Sequence, residues 1–176
     1  MEALAWLLRT GFNDRMPIAN AAMSLFLGKL RDCHLGKEDA VVPTLAAMAE
    51  KLTIKDGVAA LCPAASFPNE DSIKQSFMDW TGFESFANHV HIEDFSVGMD
   101  ALQMLGQAIG FSKLIQGKTD PLGLALRFIV GLDKFEDRNQ CIFRFHVIRT
   151  SESWLADNLD GYSEPVLTWD SSESVF

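Results

Sequence analysis

The run Cys141-Ile-Phe-Arg-Phe-His-Val-Ile-Arg149 alternates with a period of two, and this constrains the fold more than any other stretch of the chain. Successive side chains of a strand point to opposite faces, so Cys141, Phe143, Phe145 and Val147 line one side and Ile142, Arg144, His146 and Ile148 the other. The first face reads as core and the second as half covered. Neighbouring segments read the same way. Arg127-Phe-Ile-Val130 and Pro165-Val-Leu-Thr-Trp169 are rich in β-branched and aromatic residues, and Asp157-Asn-Leu-Asp-Gly-Tyr162 supplies the turn before the last strand.

The preceding chain has mostly helical spacing. Residues 2 to 12 predict one helix, Pro17 the first position of a second reaching about Leu35, Pro43 the start of a third, and Thr53 to Leu61 a short fourth. After the turn chemistry of Cys62 to Asn69, Asp71 or Ser72 caps a helix with Ile73, Phe77 and Trp80 on one face, ended by Gly82. Asn88 to Glu93 alternates as a short strand with Val90 and Ile92 inward. Ser96 caps the clearest helix, whose stripe is Met99, Leu102, Leu105, Ile109 and Leu114; within it Gly106 and Gly110 permit close approach by another element. The expected fold is therefore α+β, with a helix-rich N-terminal two thirds and a small, mostly antiparallel C-terminal sheet. At 176 residues the chain is expected to be one domain, residues 1–176.

Charge is unevenly distributed. The net charge is −9, yet residues 1 to 62 balance at seven bases and seven acids, and residues 111 to 150 carry +3. The deficit lies in two blocks of −6: residues 63 to 110, with Lys74 against seven acids, and the last 26 residues, with six acids and no Lys or Arg. Such surfaces repel nucleic acid phosphates and anionic membranes and steer a basic protein inward. The candidate partner-binding residues are Asp157, Asp160 and Glu164 in the second block and Asp79, Glu84, Glu93 and Asp94 in the first.

Catalytic chemistry is poorly supplied. There is no Gly-x-Ser-x-Gly elbow, and Gly117-Lys118-Thr119 lacks the glycine five positions earlier that a phosphate loop requires. Cys33 and His34 are neighbours on a predicted helix and diverge by about 100°. His89, His91 and Glu93 share one side of the predicted strand, a spacing compatible with a transition metal. The His-x-His pair is not specific, and the same residues are accounted for as the solvent face of a half-buried strand. No cofactor and no catalytic residue is assigned. Cys33, Cys62 and Cys141 are widely spaced among apolar neighbours, and the amino-terminal residues lack a signal-peptide pattern, so the expected compartment is the reducing cytoplasm.

In size, charge and mixture of elements, with Phe83-Glu-Ser-Phe-Ala-Asn-His-Val-His-Ile-Glu-Asp-Phe95 as the stretch most in character, the chain resembles small acidic bacterial toxin-immunity proteins. The resemblance implies a non-enzymatic protein that blocks the active site of a basic cognate toxin, such as a nuclease. It transfers no residue. Two other readings are a small metal-dependent enzyme using His89, His91 and Glu93, and an adaptor domain that self-associates through Trp154 and Trp169.

Overall fold

A computed structural model describes residues 17–29, 40–135 and 138–171. Five antiparallel strands form the main sheet in the order β1 (Ile18–Ala19), β7 (Val166–Asp170), β5 (Leu126–Phe135), β6 (Arg138–Val147), β4 (Val90–His91). The alternation does set its two faces. Leu126, Phe128, Val130 and Leu132 of β5 join Cys141, Phe143, Phe145 and Val147 of β6 and Leu167 and Trp169 of β7 in one buried cluster. Helix α5 (Ala101–Thr119) covers this face, contributing Met104, Leu105, Ala108, Phe111 and Ile115; the Phe111 ring meets Phe143 edge-on at 5.3 Å. Its apolar stripe is rotated from the predicted one, since Leu114 is exposed while Met104 and Phe111 are buried.

The arrangement corrects the expected segregation of helices from strands. The sheet is not a small C-terminal unit: its two edge strands come from residues 18–19 and 90–91, among the helices. Pro17 precedes strand β1 rather than opening a helix, and helix α1 (Ala21–Lys29) starts after Asn20, whose Oδ1 accepts the Met23 amide at 2.9 Å. The predicted helix at 2 to 12 and the extension from residue 30 to Leu35 lie outside the described residues. Pro43 does open helix α2 (Pro43–Ala49).

Thr53 to Leu61 is not a helix but a two-stranded hairpin, β2 (Thr53–Lys55) and β3 (Val58–Ala60). Asp56 and Gly57 take φ values of 52° and 75°, the pair of positive angles a type I′ turn demands, and β-branched Thr53, Ile54 and Val58 flank them. The helix expected through Phe77 and Trp80 is broken into α3 (Glu70–Ser76), capped by Asn69, and α4 (Trp80–Ala87), capped by Asp79. Gly82 does not end a helix. It lies in the first turn of α4, where a Cβ would stand 2.1 Å from the Phe77 carbonyl oxygen, so the two helices can meet this closely only with glycine there. Asp100 rather than Ser96 caps α5, through a capping box with Gln103. Gly110 has the close approach expected of it, a Cβ there falling 2.6 Å from a Val41 methyl, whereas Gly106 has nothing nearby.

Candidate functional site

Strand β4 pairs with β6 at Val90–Phe143 and His91–Ile142, which leaves the β6 edge beyond it without a strand partner among the described residues. Unpaired buried backbone groups are costly, and three side chains satisfy them instead. Glu93 Oε2 accepts the Cys141 amide at 3.0 Å, Asn88 donates to the Phe145 carbonyl at 3.0 Å, and Glu84 Oε2 accepts the Val147 amide at 2.8 Å. Glu84 on α4 and Asn88, which caps its carboxy-terminal end, stand one turn apart and also reach the hairpin: Glu84 Oε1 accepts the Ala59 amide, and Asn88 both accepts from Leu61 and donates to Ala59, all at 2.8 Å. Arg149 completes the clasp, donating to Glu84 at 2.6 and 3.0 Å and to the Gly57 carbonyl at 2.9 Å. Burial pushes the Glu84 carboxyl above its ordinary range, against the pull of Arg149 and the two amides.

On the sheet face away from α5, strand register aligns His146, Arg127 and Asp170 across three strands. Arg127 donates to both Asp170 oxygens, at 2.7 and 2.9 Å. His146 is buried and its imidazole is held below its usual range, first by burial and then by the nearby guanidinium groups. At the β4 end, the His89 and His91 rings lie 4.6 Å apart and His91 Nδ1 meets Glu93 Oε1 at 2.8 Å. Burial would raise the Glu93 carboxyl, but the Cys141 amide and His91 outweigh it and hold it low. Burial, with Arg144 and His91 adding like charge, lowers His89 to about 4. The Arg144 guanidinium donates to the Ser85 carbonyl at 2.9 Å and lies 5.3 Å from the Trp154 ring centroid.

These positions decide what the residues singled out in the sequence can do. Glu84 has no exposure and its charge is spent on Arg149, so it offers no carboxylate to a partner. Glu93 is half-buried and held by Cys141 and His91, and Asp79 caps α4 through Gly82 at 2.7 Å; Asp94 is exposed. The predicted strand geometry for a metal is absent as well. β4 ends at His91, Glu93 falls in a 3₁₀ turn, and no three His, Cys, Asp or Glu side chains converge as ligands among the described residues. Trp169 is buried against Phe128, 5.5 Å between centroids, which removes it from any self-association surface. Cys62 and Cys141 are free thiols, both raised by burial, and Cys33 lies outside the described residues.

The segment from Ser151 to Glu164 crosses the polar sheet face. At one end Glu152 accepts the Thr81 amide at 3.1 Å; at the other Asp160 accepts the Ala21 amide at 2.7 Å. Buried Asn20 anchors it, donating to the carbonyls of Leu159, Tyr162 and Glu164 at 2.8–3.4 Å while its Oδ1 accepts Val166 at 3.0 Å. Asp157 and Asp160 are exposed, and Glu164 is half-buried. Beneath the segment lies a cleft of about 180 Å³ lined by Arg127, Leu155, Asp157 and Trp169. Sequence reasoning missed Asn20, Asn88 and Arg149, and only the Asp56-Gly57 turn signal hinted at the hairpin that Asn88 and Arg149 serve.

A family model matches residues 18–176, and the chain belongs to the Uncharacterized protein PM0498 family. No curated protein and no solved structure gives a significant match. No helix among the described residues is long and apolar enough to cross a membrane.

Proposed function

We propose that this is a non-enzymatic acidic binding protein that engages a basic partner protein, acting as an immunity protein that covers the active site of a cognate toxin such as a nuclease. The observation that carries this reading is the contact between Glu152 and the Thr81 amide at 3.1 Å. It joins the carboxy-terminal acidic block to the middle one, although a +3 segment separates them in sequence. Asp79 and Glu152 thereby stand at the same helix end, and Asp157, Asp160 and Glu164 continue from it along an anchored segment. Two of the basic groups nearby are neutralised internally, Arg149 by Glu84 and Arg127 by Asp170, while Arg144 is held by the Ser85 carbonyl and the Trp154 ring. The free Cys62 and Cys141 thiols suit the cytoplasm, where such a protein would act on its toxin.

The test uses a basic protein recovered from the native host at low salt, identified and purified. Peripheral charges mainly set association rate, so Asp157→Asn, Asp160→Asn and Glu164→Gln together should slow association and flatten its salt dependence, with little change in dissociation. Rates identical to wild type at ionic strengths giving Debye lengths of ~30 and ~10 Å would refute a role for this segment.

A further inference from the structure

The cleft of about 180 Å³ beneath the Ser151–Glu164 segment has two walls. Arg127 of β5 with Thr168 and Asp170 of β7 line it from the sheet, and Ser153, Leu155 and Asp157 line it from the segment. The segment is pinned on both sides of the cleft, by Glu152 on the Thr81 amide and by Asn20 on the carbonyls of Leu159, Tyr162 and Glu164. The cleft is therefore preformed, which spares a guest the cost of ordering it.

Its polar side chains are acceptors, with one exception. Ser153 Oγ gives its proton to the Leu155 carbonyl at 2.7 Å and Thr168 Oγ1 gives its proton to the Phe128 carbonyl at 2.9 Å, so both hydroxyls have lone pairs to offer. Asp157 adds an exposed carboxylate that no hydrogen bond or ion pair holds among the described residues. The exception is Arg127, which directs Nε and one Nη at the two Asp170 oxygens, at 2.7 and 2.9 Å, and so has its charge balanced within the wall. The lining thus carries one base against two acids. An anion entering here meets carboxylates and hydroxyls whose protons are already given, whereas a cation rich in donors meets acceptors.

We infer that this cleft receives one arginine side chain of the basic partner, its guanidinium directed to Asp157 with the Ser153 and Thr168 hydroxyls as further acceptors, and its methylenes along Leu155 and Leu159. The volume suits one side chain, since a cavity of roughly 150 Å³ holds a benzene ring. Arginine suits the acceptors better than lysine, because its five N–H groups are spread over a rigid plane. The inference rests on the acidic-partner reading and names the place on that face where a single partner residue is recognised.

The probe is Nα-acetylarginine amide at millimolar concentration, titrated at low salt into the ¹⁵N-labelled protein, with Nα-acetylcitrulline amide as its uncharged counterpart. Amide shift changes should centre on residues 153–157 and 168–170, and citrulline should bind at least about threefold more weakly. Asp157→Lys turns the lining into two bases against one acid and should weaken arginine binding about tenfold, with Tm within about 2 °C of wild type because nothing in the fold pairs with Asp157. Glu164→Lys makes the same change of charge outside the cleft and should weaken it less than about twofold. Equal losses from the two reversals, with shifts spread along 157–164, overturn the cleft and leave the acidic-partner reading standing. Citrulline binding as tightly as arginine, or no binding by arginine, also overturns the cleft. If a hexa-arginine peptide leaves the spectrum unmoved as well, the acidic-partner reading falls with it.

Discussion

Replacing Glu84 by Gln tests whether the clasp between α4, the hairpin and the β6 edge holds the fold together. The carboxylate accepts four hydrogen bonds, from Ala59 and Val147 at 2.8 Å and from Arg149 at 2.6 and 3.0 Å. An amide has one acceptor oxygen. Whichever way Gln turns, its NH2 faces one of the two backbone amides, orphaning a buried donor at a cost of about 1–3 kcal/mol. Arg149, whose side chain is 17 % exposed, also loses its counter-charge. Removing one partner of a buried pair costs about 3–5 kcal/mol, so Glu84→Gln should lose about that much and lower Tm by roughly 10 °C. Urea unfolding followed by tryptophan fluorescence measures it. Arg149→Met should cost less, because Glu84 keeps its two amides and can take up a proton. A carboxyl raised on folding contributes stability that is present at low pH and lost as pH rises through its folded pKa, so Arg149→Met should be milder at pH 5 than at pH 7. A loss below about 1 kcal/mol for Glu84→Gln would refute the argument, since the desolvated donors would then have found other partners.

Gly82→Ala, whose Cβ would meet the Phe77 carbonyl at 2.1 Å, should destabilise by about 1–3 kcal/mol in the same assay. His89 should stay neutral down to about pH 4, read from imidazole ¹⁵N shifts. Because its pKa falls on folding, its stabilising contribution is present above about pH 6.5 and lost towards pH 4, and His89→Gln should be less sensitive to acid than wild type across that window. Asn20→Ala removes the α1 cap and the anchor of three loop carbonyls, and should cost about 2 kcal/mol and raise hydrogen exchange at residues 159–166.

Much of the main sheet was legible locally. The alternation of Cys141, Phe143, Phe145 and Val147 determined which side of β6 is core, and Arg127–Val130 and Pro165–Trp169 marked parts of β5 and β7 by composition, because strand period and β-branching are properties of neighbouring residues; that β5 runs on to Phe135 was not legible. The core position of Cys141 was legible for the same reason, since it alternates with Phe143 and Phe145. The hairpin at Thr53 to Ala60 was misread because three-residue strands carry too little periodicity to outweigh alanines, although Asp56-Gly57 marked its turn. Whether a charge in the acidic middle faces water could not be read at all. Glu84 and Asp94 look alike as letters, yet one is sealed against Arg149 and the other is exposed, and that difference depends on the β6 edge that β4 leaves open about 60 residues further along the chain. Likewise, the contact that brings Glu152 of the last block to the Thr81 amide of the middle one spans 71 residues and could not be read locally. Sequence patterns report which residues prefer burial; which backbone groups are left without partners, and hence which side chains must be drawn inside to satisfy them, is decided only when distant segments pack.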